Sequence, residues 1–405
     1  MKMHIPTLFR LLALLAVLLS AAQPALPAAQ AAAPVDFPQA AANPAAGEVL
    51  CLPGIYPTDP GDCLPLGPSQ ARGEMAALDM SLPLRPLPAR HLNPEMGIVP
   101  YAYAELKAEF TPIYATIEDA VAQQNPISSI AYGEMKYASY ILRDDANKVY
   151  QLRSGGYIRF SSVKQSWSLP TGFRGGLEFT QTPSHAFGWI LPLQPSIETK
   201  HTPGYGLGEE DYTGRLVYQY QVVQIYTVQV VEGVEWYLIG PDEWIDQRYL
   251  GIVTPNTTPP EGVANGRWIE VNLFEQTLAV YQDHQLVFAT LIASGMEPFY
   301  TRPGLFPIYE KLTSTPMAGS FEADQHDFYY LQDVPFTMYY DKARALHAAY
   351  WRHSLGFPQS HGCINMSIID AHWLFDWAQV GDWVYVWDPS GKTPTDPEYY
   401  KDGGA

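Results

Sequence analysis

From Leu216 to Ile239 the chain reads LVYQYQVVQIYTVQVVEGVEWYLI, a run crowded with Val, Ile, Tyr and Thr. Such residues pack well on a pleated, half-buried surface. Glu232-Gly233 breaks the run where a hairpin turn fits, and Glu235 to Ile239 returns as a second strand. Shorter runs of the same kind recur at Lys148 to Leu152 and Tyr157 to Val163. Others are Ile269 to Asn272, Leu278 to Tyr281, Leu286 to Ala293, Phe328 to Tyr330, Phe336 to Tyr340 and Trp383 to Trp387. The 36 prolines and 31 glycines punctuate the chain too often for long helices. In the C-terminal third one segment reads well as a helix, about Ile368 to Ala378, with Ser367 as N-cap, Asp370 three residues on and Gly381 past its end. The fold class expected is therefore mainly β, with one main helix.

At 405 residues the chain is too long for one typical core, so several domains are expected. Lys2 and Arg10 flank the start of a short apolar run, Leu11 to Ala22, followed by small residues, which reads as a secretory signal over 1–33. Residues 34–98 are rich in Pro, Ala and Gly and read as a linker or surface segment. Two β-patterned stretches follow, 99–165 and 184–253, and a Pro/Gly-broken linker leads to a third region at 266–388 and a tail at 389–405. The pattern strand, turn, WYLIG, turn, EWI resembles the bacterial SH3-like barrels found beside wall enzymes, and the 99–165 stretch reads as a degenerate copy. That resemblance implies wall binding through glycan strands, or a spacer.

The net charge of −18 argues against nucleic-acid binding, which needs clustered Lys and Arg on phosphates. Cys51 and Cys63 flank a Pro/Gly-rich stretch, and in an exported chain they are a candidate disulfide. Cys363 is then left as an odd thiol, either reactive or buried and inert.

The neighbours of Cys363 favour chemistry. His347, His353 and His361 lie within the 17 positions that end at Cys363. An imidazole can activate a thiol, and a helix beginning just downstream would favour a thiolate. Gly362 permits a close substrate approach, and the N–H groups of Gly362 and Cys363 would suit an oxyanion hole. Zinc ligation by these residues is disfavoured, because paired spacings such as CxxC are absent.

The segment Ser360-His361-Gly362-Cys363-Ile364-Asn365, preceded by His347, resembles the signature of the L,D-transpeptidases, the YkuD-type catalytic domain. Ser294-Gly295, Thr301 to Phe306, Asp333 to Phe336 and Gly381 to Val386 resemble further parts of that domain, while the gap from His347 to Ser360 is at the short end of the family's range. The resemblance implies a β-sandwich-like catalytic domain. Cys363 would be the nucleophile and His347 its general base, with His361 and Gly362 shaping the oxyanion hole. Ser360 and Asn365 would be structural members of the signature. Tyr340 would line the donor pocket, and His353 reads as a loop or rim residue. Such enzymes act on peptidoglycan stem peptides outside the cytoplasm and need no cofactor. An L,D-carboxypeptidase would share the acyl-enzyme, and a non-catalytic wall-binding or surface structural protein is the rival of another class.

Overall fold

The computed structural model describes residues 49–50, 63–64, 68–133, 135–167, 173–206, 208–319 and 328–400. The signal segment expected over 1–33 lies outside these residues. So do Cys51 and the side chain of Cys63, and with them the expected disulfide. No described helix is long and apolar enough to cross a membrane.

Two sheets sandwich the main core. One has seven strands, in the order Gly304–Pro307, Trp383–Trp387, Arg267–Asn272, Thr277–Gln282, Gln285–Leu291, Leu177–Phe179 and Ala89–His91. The other has eleven strands and begins with Ile364–Met366, Arg344–Ala348, Tyr329–Asp341 and Met135–Asp144. Inward residues of both meet in one cluster that includes Ile269, Val280 and Phe288 from the first and Met338, Leu346 and Ile364 from the second. The alternation that predicted strands is thus the alternation that fills this core.

The Ile368–Trp377 helix packs beside the sandwich. Its N-cap is Ser367, whose Oγ accepts the Asp370 N–H at 3.2 Å. Asp370 is fully buried and accepts from Ser367 Oγ, Thr290 Oγ1 and the Gly176 N–H. Burial pushes its carboxyl up to about 6. A single side chain therefore ties the helix to the Gln285–Leu291 strand and to the segment ahead of Leu177.

Three local expectations are corrected. Phe328 to Tyr330 and Phe336 to Tyr340 are parts of one thirteen-residue strand, Tyr329–Asp341, which continues through Asp333 and Phe336 at positive φ. The stretch read as a linker over 34–98 contributes the Pro68–Ala77 helix and the Ala89–His91 strand. The Ala89–His91 strand extends the seven-stranded sheet through Leu177–Phe179. The 99–165 stretch is not a detached module either. Its Met135–Asp144 strand pairs in parallel with Tyr329–Asp341, and Tyr103 and Tyr137 enter the main core. The 184–253 stretch keeps its own apolar cluster, including Ile197, Val217, Ile239 and Ile245, between a three-stranded and a five-stranded sheet.

Candidate active site

The site is built on the parallel pairing of Arg344–Ala348 with Ile364–Met366, in the register Leu346↔Ile364, His347↔Asn365 and Ala348↔Met366. Opposed residues of a parallel pair share a face, and the face repeats every second residue. His347 and Asn365 therefore point the same way, and Cys363 lies in the bend just ahead of the Ile364–Met366 strand. The loop that carries Cys363 is held from its other side by Ser294, whose carbonyl accepts the Ser360 N–H at 2.9 Å, and by Ala293, which exchanges backbone hydrogen bonds with Asn365.

The imidazole is fixed in one tautomer. His347 Nδ1 lies 2.9 Å from the Ala348 carbonyl oxygen, which can only accept, so Nδ1 carries the proton. Nε2 lies 3.1 Å from Asn365 Nδ2. The amide orientation follows from Arg352, whose Nε donates to Asn365 Oδ1 at 3.1 Å. Arg352, Asn365, His347 and Ala348 thus form one chain of donors and acceptors that leaves Nε2 as the basic atom. Burial pushes His347 down to about 4, so the ring rests neutral.

Cys363 is only 5% exposed and His347 2%. Burial pushes the Cys363 thiol up to about 11, against smaller opposing effects of an Ala345 backbone hydrogen bond and the Arg344 charge. Its Sγ lies 3.8 Å from the Ala343 carbonyl oxygen. The expectation that the helix start favours a resting thiolate is therefore corrected. The Ile364–Met366 strand stands between Cys363 and the helix that begins at Ile368, and a helix end acts strongly only within about one turn. Desolvation wins, and the resting site holds a neutral thiol and a neutral imidazole.

The other expected residues occupy distinct positions. Gly362 has φ +115°, and a Cβ there would lie 3.1 Å from Arg344 Nε. Its N–H donates to Ser360 Oγ at 3.1 Å, while Ser360 Oγ donates to the Cys363 carbonyl at 2.5 Å. Ser360 thus staples the loop, and one of the two expected oxyanion donors is already engaged. The part-exposed His361 ring lies parallel to Tyr329 and against Phe299. Tyr340 is buried against Phe306, and its hydroxyl has no hydrogen-bond partner among the described residues. His353 is exposed and lines a cavity of about 170 Å³ with Arg352, Tyr220 and Ile368, to whose lining neither Cys363 nor His347 belongs.

Sequence reasoning missed two cations. Arg352 orients Asn365, and Arg344 lies beside Gly362. Neither belongs to the motif residues singled out from the sequence, and only the strand pairing reveals their roles.

This constellation lies inside a segment, residues 266–386, that matches the family model of the L,D-transpeptidase catalytic domain, YkuD. Residues 266–386 are a YkuD-type L,D-transpeptidase catalytic domain. Similar solved structures bear related descriptions. The catalytic domain of an L,D-transpeptidase from E. faecium is 27% identical over 31% of this chain and all of its own, with a TM-score of 0.28. An L,D-transpeptidase from Mycobacterium smegmatis is 23% identical over 40% of this chain and 76% of its own, with a TM-score of 0.29. A third, from Stackebrandtia nassauensis, is 24% identical over 32% of this chain, with a TM-score of 0.25, and the match spans 58% of that protein's length. No curated protein matches the chain. In the L,D-transpeptidase domain, then, His347 lies on a strand paired with the one that Cys363 immediately precedes, and Arg344 is buried beside the Cys363 loop.

Proposed function

We propose that this protein is an exported peptidoglycan L,D-transpeptidase that forms 3→3 cross-links through a thioester on Cys363. The observation that supports the reading is the strand pairing that sets His347 opposite Asn365, two residues after Cys363, with Nε2 left as the basic atom because Nδ1–H is held by the Ala348 carbonyl. Cys363 Sγ attacks the carbonyl of the third residue of a tetrapeptide stem while its proton passes to His347 Nε2. The carbon–nitrogen bond to the terminal D-Ala breaks, and Nε2 returns the proton to the leaving amine. An amine of a second stem then attacks the thioester and gives its proton to Nε2. Cys363 leaves and recovers that proton. Because Asn365 Nδ2 lies 3.1 Å from Nε2 at rest, the imidazole must loosen that hydrogen bond as it takes the proton. The acyl-enzyme is shared with an L,D-carboxypeptidase, in which water replaces the second amine.

The positively charged, apolar N-terminus supports export to the cell wall or cell surface. Stem peptides are the partners of the catalytic domain, and glycan strands those of the β regions. For the glycan role the support is the exposed aromatic surface of Tyr205, Tyr212 and Tyr218.

The test is mass spectrometry of residues 34–405 incubated with disaccharide-tetrapeptides, beside Cys363→Ala. A dimer lacking one D-Ala, absent with the variant, is expected. Tripeptide and free D-Ala alone would make the enzyme a carboxypeptidase. No product in either sample would refute both.

A further inference from the structure

Two arginines near the nucleophile share one carboxylate. Arg302 grips Asp341 side-on, with Nε 2.9 Å from Oδ2 and Nη2 2.5 Å from Oδ1. Arg344 Nη1 donates to the same Oδ2 at 3.1 Å. Arg344 and Asp341 are each only 4% exposed, whereas the Arg302 side chain is 31% exposed, so the buried Arg344 has to share its carboxylate with a cation at the cluster's wet edge. A buried guanidinium with a shared counter-ion and an unmade hydrogen bond is costly.

That unmade hydrogen bond has a direction. A guanidinium binds a carboxylate best along its Nε–Nη2 edge, through two parallel hydrogen bonds. Arg302 spends that edge on Asp341. On Arg344 the edge is open to a better partner. Its Nε is buried with no hydrogen-bond partner among the described residues, and its Nη2 is held only by the neutral carbonyl of Tyr400, at 2.6 Å. Nε also sits next to the nucleophile's loop, 3.1 Å from where a Cβ on Gly362 would lie, which gives that glycine a second reason to lack a side chain. Tyr340, one residue before Asp341, holds a second buried and unpartnered hydroxyl donor.

We infer that the Nε–Nη2 edge of Arg344, with the Tyr340 hydroxyl, is a recognition site for a substrate carboxylate beside Cys363, occupied at rest by the Tyr400 carbonyl of the C-terminal tail. The inference rests on the proposed action at Cys363. A stem peptide offers two sources for such a group, the terminal carboxylate of the leaving D-Ala and the side-chain carboxylate of the diamino acid. Either would replace one neutral carbonyl with a bidentate, charge-neutralising contact.

The first test needs no turnover. The full chain is alkylated at Cys363 with anionic iodoacetate and with neutral iodoacetamide, and intact mass gives the two rates. Their ratio cancels general changes in thiol reactivity. Arg344→Gln is expected to lower the iodoacetate-to-iodoacetamide ratio tenfold or more, and Arg344→Lys to keep most of it. Tyr340→Phe removes one hydroxyl without touching the ion cluster, and should lower the ratio severalfold. It stands in if Arg344→Gln does not fold. A ratio within twofold of wild type in the folded variants overturns the inference, whatever reaction the enzyme performs. A second test separates the two sources. Donor stems are amidated either at the terminal D-Ala or at the diamino acid. Whichever amidation raises the wild-type KM about tenfold, and has no further effect in Arg344→Gln, identifies the carboxylate. Equal KM for all donors overturns the assignment to substrate even where the alkylation ratio holds.

Discussion

The pH profile of Cys363 is a decisive test of how this thiol becomes reactive. Burial raises its thiol to about 11. The ordinary value is 9.0, so at pH 7 this site holds roughly a hundredfold fewer thiolates, on the order of 3 kcal/mol of differential solvation. His347 cannot offset this as a resting cation, because its own value lies near 4. Iodoacetamide alkylation, followed by intact mass from pH 6 to 11, should therefore rise about tenfold per pH unit, with no plateau until near pH 11. His347→Ala should leave that slope unchanged, since no imidazolium supports the thiolate. A plateau between pH 6 and 9 that His347→Ala abolishes would refute the reasoning and show a preformed thiolate–imidazolium pair. The same shift has a stability consequence. A thiol held above its unfolded value contributes stability that is complete below about pH 9 and lost as pH rises towards 11.

Two further outcomes follow from the geometry. Asn365→Ala removes the hydrogen bond to His347 Nε2 and strips Arg352 Nε of its acceptor. Stability in urea should fall by ~1–3 kcal/mol, and kcat should drop more than KM changes, because the imidazole loses its orientation. Glu275 is pushed up to about 7 by burial, helped by the nearby Glu235 charge, although it accepts the Ile252 N–H at 2.9 Å. A carboxyl raised in the folded state contributes stability that is present below its unfolded value and lost as pH rises through 7. Glu275→Gln should therefore stabilise the protein at pH 8 by up to ~3 kcal/mol and make little difference at pH 4, as read from thermal melts at the two pH values.

Much of this molecule was legible locally. Strand character follows from β-branched and aromatic residues at alternate positions, and the pairing of Arg267–Asn272 with Thr277–Gln282 spans one short turn. The helix start was written in Ser367 and Asp370, because a cap is a contact between near neighbours. The loop from His347 to Cys363 is likewise short, because His347 lies on a strand paired with the one that begins at Ile364. Other features were settled only by contacts between distant parts of the chain. No local pattern announces that Met135–Asp144 will lie beside Tyr329–Asp341, nearly two hundred residues on, or that one long strand survives Asp333 and Phe336 at positive φ. Nor could spacing show that Gly362 gives its N–H to Ser360, or that Arg344 is left with an open edge between Asp341 and Tyr400. The protonation state was the largest reversal. A motif lists which groups can ionise, but desolvation decides whether they do, and desolvation belongs to the packed sandwich. The sequence by itself determined the β class and the helix cap from near-neighbour physics, and its motif marked out the L,D-transpeptidase domain. Tertiary structure alone decided that burial raises the thiol and that Arg344 lies buried beside its loop with an unpartnered Nε.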